Sequence, residues 1–425
     1  MPATAGQSAL SGAAQRRATT MLSAFGHQNF RLFFAVQAVS NIGTWIQITV
    51  ENWLVLELSH SGLALAVTNA LQFGPSVLLG LYGGVIADRH DRRRMLLITQ
   101  TCLGVLALVV GLLAGIGIVR VWIIWLAAGC LGVTKCFDMP ALQGFVKDLV
   151  GPSDLPNAVA WTNAVAASGR MLGPACGGVI LTEFGAAPGF LINAATFGLV
   201  VLALGSMRRA GLVGRVLAPR APGQVRQGLA YLCGQPVLAT VSAVMIVVFI
   251  AAYNFQISLA LIAADMLAGG GQTYGSLMSA LGLGAAVGSL ICALVPRTGP
   301  AAVLAYAGGL GAAQMALATV HALIPLLAAT FAYGVGAGLF SVTVISALQV
   351  HTAEEMRGRV MALYSVCFLG SSPIGGPCFA ALSAWIGVSG ALRVTASVCI
   401  AAALVGAAAW RSLDQRQQGA SAFEA

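Results

Sequence analysis

Apolar runs of about twenty residues alternate along this chain with short polar breaks. The runs fall at 32–57, 62–86, 95–118, 121–145, 157–181, 188–207, 236–262, 272–295, 301–320, 323–346, 358–386 and 388–410. A helix of that length, at about 1.5 Å per residue, crosses the roughly 30 Å hydrocarbon layer of a bilayer. Several runs contain Gly, Pro or a polar residue, which membrane helices accept where neighbouring helices cover the exposed backbone. The pattern predicts an all-α membrane protein of twelve transmembrane helices, with both termini on one side. The longest polar break, 208–235, holds Pro219, Pro222 and several arginines. It separates a bundle of six segments at 32–207 from a second at 236–410, with 1–31 and 411–425 as tails. The halves echo one another: Gly173-Pro174-Ala175-Cys176-Gly177-Gly178 in the fifth segment has a counterpart, Gly370 to Pro377, in the eleventh.

Composition agrees. The 425 residues are 58% hydrophobic and 8% charged, against about 25% charged in soluble domains. The net charge of +9 does not point to nucleic acid, because no aromatic-interleaved basic surface accompanies it. The basic residues gather in the breaks that lie on the side of the termini, leaving Arg120 and Arg393 opposite. By the positive-inside rule this places both termini in the cytoplasm and the chain as a multi-pass protein of the cell membrane. The first thirty residues lack the apolar core of a signal peptide. Nine cysteines and five histidines are dispersed without metal-ligand spacing, so no metal or cofactor is expected. No phosphate-binding Gly-x-x-x-x-Gly-Lys-Ser/Thr loop occurs, and no constellation points to an enzyme.

The most informative break runs Gly84-Val85-Ile86-Ala87-Asp88-Arg89-His90-Asp91-Arg92-Arg93-Arg94. It resembles the Gly-x-x-x-Asp-Arg-x-Gly-Arg-Arg loop of the major facilitator superfamily. Asp91 replaces the second glycine, and Asp is one of the few residues that tolerate a left-handed turn there. The resemblance implies a two-bundle fold with a substrate site near the membrane midplane. It also implies a cytoplasmic gate in which Asp88 meets the start of the eleventh helix. Near that start Glu354 and Glu355 are expected to accept from Arg92, Arg93 or Arg94. The fifth segment carries Gly169-x-x-x-Gly173-Pro174-x-x-Gly177-Gly178, which matches the pattern characteristic of proton-exchanging exporters in this superfamily. Its physical content is independent of the resemblance: the glycines allow close backbone approach, and Pro174 removes a backbone donor.

Four ionisable groups lie within spans: Glu51, Lys135, Asp138 and Arg170. Such groups are costly in lipid and face a cavity or a partner. Lys135 and Asp138 share a helix face; Glu51 is expected to carry a coupling proton, to neutralise Arg170 or to reach the outer interface. Gln37, Asn41, Thr44, Glu51 and Asn52 form a polar stripe on the first segment, spaced to lie along one face. With Asn69, Gln72, Tyr253, Asn254, Gln256 and Tyr333 they are the candidates for a substrate cavity.

Four runs narrow the resemblance: Asn29-Phe30-Arg31, Ser40 to Gln47, Asp88 to Arg93, and Arg357 to Tyr364. They are similar to the transmembrane secretion effector group, the group of the enterobactin exporters. The resemblance implies a monomeric exporter of a small organic molecule, such as a siderophore, drug or secondary metabolite, with protons as coupling ion. The alternatives are an uptake or facilitative permease and a non-transporting membrane sensor.

Overall fold

The computed structural model describes residues 22–207, 224–295 and 299–424, with 81, 85, 88, 224–226, 228 and 413–424 described by their backbone alone. Every regular element among them is helical. A 3-10 turn, Ser23–Gly26, leads into α1 (Gln28–Ser59), α2 (Gly62–Arg89) and α3 (Arg92–Gly115). The next helix, Val121–Phe184, has 64 residues and would be about 96 Å long if straight. Gly151, at φ 73°, breaks it into α4 (121–150) and α5 (152–184). Then follow α6 (Ala187–Ser206), α7 (Gln224–Gly234), α8 (Pro236–Ala252), α9 (Phe255–Leu261), α10 (Gly271–Leu294), α11 (Pro300–Leu317) and α12 (Leu323–Val350). Glu354–Glu424 is broken in the same way at Gly387, φ 75°, into α13 (354–386) and α14 (388–424). Glycine adopts this left-handed backbone without steric cost, so one residue turns the chain.

Nine helices among the described residues are long and apolar enough to cross a membrane, the two broken ones each counted whole. The polar stripe keeps α1 from being among them. Outward-facing side chains such as Leu202, Leu404 and Val405 are more than two-thirds exposed, as suits a surface solvated by lipid.

Small residues set the helix neighbours. Gly169, Gly173 and Gly177 of α5 pack on Asn41, Trp45 and Ile46 of α1. Gly132 of α4 meets the carbonyls of Leu71 and Gln72 on α2, and Gly43 of α1 meets Asn193 and Thr196 on α6. In the second half Gly284, Gly288, Gly334 and Gly338 join α10 to α12, and Gly311 joins α11 to α14. The halves meet along two seams. One is α5 with α10. The other is α2 with α13, where Gly370 and Gly376 approach Val77 and Ala66. These pairings run all helices between two ends: a near end, where α1 begins, and a far end, where it finishes.

Five details differ from the sequence reading. The first helix starts at Gln28 rather than 32. Of the expected linker, 208–223 lies outside the described residues and 224–234 is helical, while the expected tail from 411 continues as helix. Asp91 is extended (φ −64°, ψ 112°), not left-handed; its carboxylate accepts from the Arg94 N–H at 3.2 Å and caps α3. The seventh segment is interrupted at Tyr253–Asn254. There the Asn254 amide donates to the Ile250 carbonyl at 2.7 Å, taking the acceptor that a continuing helix would use. A π turn, Ile262–Met266, follows α9.

Candidate functional site

At the near end the arginines of the α2–α3 connection engage their own half. Arg92 donates to the Gly144 carbonyl at 3.2 Å and to Asp148 at 2.8 Å. It fits because Gly144 has no side chain; a methyl there would meet the guanidinium. Arg93 donates to the carbonyls of Leu204 and Gly205, at 2.7 and 2.8 Å, and so caps α6, where helix carbonyls lack partners. Arg94 lies 3.9 Å from Asp91, both exposed. Arg93 therefore turns to α6 and Arg92 to α4, instead of to Glu354 and Glu355, which stand exposed in the first turn of α13. Arg89 ends α2 and is exposed. Gly84 lies in the last turns of α2, and neighbouring Gly83 makes the close approach to the Cys136 carbonyl of α4. The Asp88 side chain lies outside the described residues. The segment before α1 docks on the start of α5. His27 and Asp154 are 3.0 Å apart, the Ala24 N–H donates to Asn157, and Phe25 packs edge-on to Trp161.

Within the first half the buried charges are organised by their neighbours. Glu51 is 5% exposed and accepts from Gln47 at 3.4 Å. Gln47 in turn accepts from Asn193 of α6 at 2.7 Å. Asp138 accepts from Thr99 at 2.6 Å and from Gln100 at 2.9 Å, both on α3. Lys135, half-buried on α4, lies within electrostatic reach of both carboxylates. Among the described residues no ion pair joins Glu51 to Arg170, and Lys135 is the cation whose charge reaches Glu51. Arg170 is exposed on α5 and has no hydrogen-bond or ion-pair partner among the described residues.

The polar candidates divide. Gln37, Asn41 and Thr44 are half-buried near mid-depth on α1, and the side-chain carbonyl oxygens of Gln37 and Asn41 are unpartnered. Asn52 and Asn69 are buried in a chain that joins the halves toward the far end. Asn69 donates to Asn52 at 3.2 Å, Asn52 to the Tyr274 hydroxyl at 3.4 Å, and Tyr274 to the Gln256 carbonyl at 3.3 Å. Trp53 stacks on Tyr274 beside it. Tyr253 and Tyr333 donate to the carbonyls of Ala337 and Ala252 and so tie α8 to α12. Asn254 is buried at the α8 break, and Gln72 is buried on α2. A groove of about 750 Å³ along Leu71, Trp122, Leu126 and Val133 lies among exposed apolar side chains and has no charged lining; it is part of the lipid-facing wall.

Several of these partners were open to sequence reading. Asn193 and Thr196 in the sixth apolar run, and Thr99 and Gln100 in the third, are polar residues in apolar surroundings, the signal that singled out the α1 stripe. Asp148 and Tyr274 carried no such signal.

A family model described as transmembrane secretion effector matches residues 19–423. The chain belongs to this family. Like other transmembrane secretion effectors it is a member of the major facilitator superfamily. It is 25% identical over 379 residues to the enterobactin exporter EntS of Shigella flexneri, covering 84% of this chain and 86% of that one. It is 29% identical over 173 residues to the staphyloferrin A transporter of Staphylococcus aureus, an alignment that spans 40% of this chain and 44% of that relative. The fold is that of the nucleoside transporter NupG (TM-score 0.71, 11% identity, 90% and 99% of the two chains). It is also that of a bacterial homologue of the lysosomal transporter Spinster (TM-score 0.68, 14% identity, 90% and 96%).

Proposed function

We propose that this secretion effector exports a small organic molecule across the cytoplasmic membrane in exchange for protons, by alternating access, as a monomer with both termini in the cytoplasm. The twelve-passage reading takes α1 and both parts of each broken helix as passages, in two bundles of six. The observation that carries the proposal is the α5–α10 seam. A methyl on Gly178 would lie 3.0 Å from the Gly271 carbonyl, and one on Gly275 would lie 2.5 Å from the Pro174 carbonyl. The same helix presents Gly169, Gly173 and Gly177 to α1. The exporter-type pattern thus spans the contact between halves and the contact within one. Release to the outside requires this seam and the Asn69–Asn52–Tyr274 chain to part. On the cytoplasmic side Asp88, at the end of α2, remains the gating carboxylate of this reading, and Glu51 its proton carrier.

The substrates named for the two relatives serve as first probes. In everted vesicles containing the full chain and energised to an acid interior, enterobactin or staphyloferrin A is expected to release protons, read by a pH-sensitive dye. Substrate uptake into these vesicles without proton release would replace proton exchange by facilitated permeation. Efflux from the vesicle interior alone would reverse the direction.

A further inference from the structure

Arg170 sits about fourteen residues from the nearer end of α5, roughly 21 Å along the helix. That is well beyond what an arginine side chain spans by reaching for the membrane surface. An unpaired cation at that depth is costly unless an anion joins it. Its surroundings on the first half are polar and incompletely satisfied. Asn41 packs against the adjoining Gly169, and the side-chain carbonyl oxygens of Asn41 and Gln37 are buried without partners. On α10, Gly282 lies against the Arg170 backbone, and one turn away the Ser279 hydroxyl is likewise unpartnered.

The second half offers a different wall at the same depth. Phe249 and Tyr253 near the α8 break, Phe340 of α12, and Tyr364 and Phe368 of α13 form one aromatic cluster. Phe249 lies 5.3 Å from Phe368, and Tyr364 stacks on Phe368 at 6.1 Å with 11° between the planes. Position 368 lies near the middle of α13 and 253 near the middle of the α8–α9 passage. Phe368 is 40% exposed and Tyr253 half-buried. Phe368 shares a face of α13 with Gly375, which packs on Ile250 of α8, and with Gly376, which approaches Ala66 of α2 in the other half, so we place its exposed surface in the interior between the halves.

We propose that the central site selects an aromatic organic anion, its acidic group held by Arg170 and its ring laid on the Tyr364–Phe368 wall. The assignment rests on the reading of the interior as a transport site. Guanidinium binds a carboxylate or similar acid in two-point fashion, and more strongly where water is scarce. Aromatic faces favour offset or edge contacts with a flat ring over an aliphatic chain. An aryl cation meets the same wall but is repelled by Arg170, and a non-aromatic polyanion meets one cation and nothing to stack on.

The test is ligand-dependent thermal stabilisation of the purified full chain in detergent, using 2-naphthoate, (2-naphthyl)methylammonium and citrate as probes. The expected result is stabilisation by 2-naphthoate alone, at least tenfold weaker in Arg170→Ala, partly retained in Arg170→Lys, and weakened in Phe368→Ala. Equal response to the naphthyl cation, equal response to citrate, no response to 2-naphthoate, or an unchanged response in a folded Arg170→Ala would each overturn the proposal. Should Arg170→Ala not fold, the three-probe comparison on the unaltered chain decides alone. The assay is blind to direction and to protons. Selective naphthoate binding without movement in the vesicle experiment would therefore count against the export reading and leave the site standing.

Discussion

Replacing Glu51 by Gln preserves the shape of the Gln47–Asn193 chain and removes one of two carboxylates around Lys135. If Glu51 carries the proton, Glu51→Gln uncouples export from the pH gradient while substrate still binds, which dye release and thermal stabilisation measure separately. Its cost in stability is set by Lys135, left with a single carboxylate. That cost is expected at or below the roughly 3–5 kcal/mol of a broken, fully buried pair, because Lys135 is only half-buried. Adding Lys135→Met is expected to recover purified yield, whereas adding Arg170→Gln is not. Recovery with Arg170→Gln instead would show the two residues to be coupled after all. The sequence put Glu51 and Asn52 on a shared stripe, but a stripe is not a contact. Residues three and four apart still fan around a helix, so Asn41 and Trp45 meet α5, Gln47 leads to α6, and Asn52 reaches Tyr274 across the halves. Which neighbour each position faces depends on the packing of other helices, information that α1 does not contain.

At the scale of elements, the α5–α10 seam leaves no room for a β-branched side chain. Gly178→Val is expected to destabilise the protein by about 1–3 kcal/mol, as overpacking does, and to slow the exchange between states more than it weakens binding. Single-turnover exchange in proteoliposomes set beside probe affinity checks this; a proportional loss of both would make the seam ordinary packing. Gly178→Ala is expected to show the same effect to a smaller degree. The fifth helix was legible because its glycines recur on a helical period. The interruption of the seventh was not. Its sequence from Pro236 to Met266 carries Asn254 and Gln256, but no Gly, and no Pro after Pro236, marks a break. The break comes from one asparagine amide competing for the Ile250 carbonyl beside Gly375 of α13, a contact more than a hundred residues away in the chain.

For the whole molecule, the Asn69–Asn52–Tyr274 chain closes the far end. Tyr274→Phe removes the acceptor for Asn52 and the donor to the Gln256 carbonyl at once. A single cysteine at position 37, in a background without other cysteines, is then expected to react faster with a membrane-impermeant maleimide applied from the far side. An unchanged labelling rate would mean that the Trp53–Tyr274 stack and the α5–α10 seam hold this end without the hydrogen bonds. The two-half architecture was readable because hydropathy repeats and because arginines favour one side, both properties of the chain read locally. The closing of one end was not, since it rests on a tyrosine hydroxyl whose partners come from α1 and α9.

The single-glycine turns at Gly151 and Gly387 bear on how the chain enters the membrane. Most neighbouring passages are joined by polar residues that can wait in water while the next helix emerges from the ribosome. Between α13 and α14 only Gly387 lies outside helical geometry, and between α4 and α5 only Gly151. Apolar residues flank Gly387 (Trp385, Ile386 and Val388), so α13 and α14 are expected to enter the bilayer as one hairpin, whereas the polar break 146–156 around Gly151, with Lys147, Asp148 and Asp154, can wait in water. Biogenesis of this protein should therefore tolerate epitope insertions in the breaks after Ser59 or Gly115 far better than at Gly387.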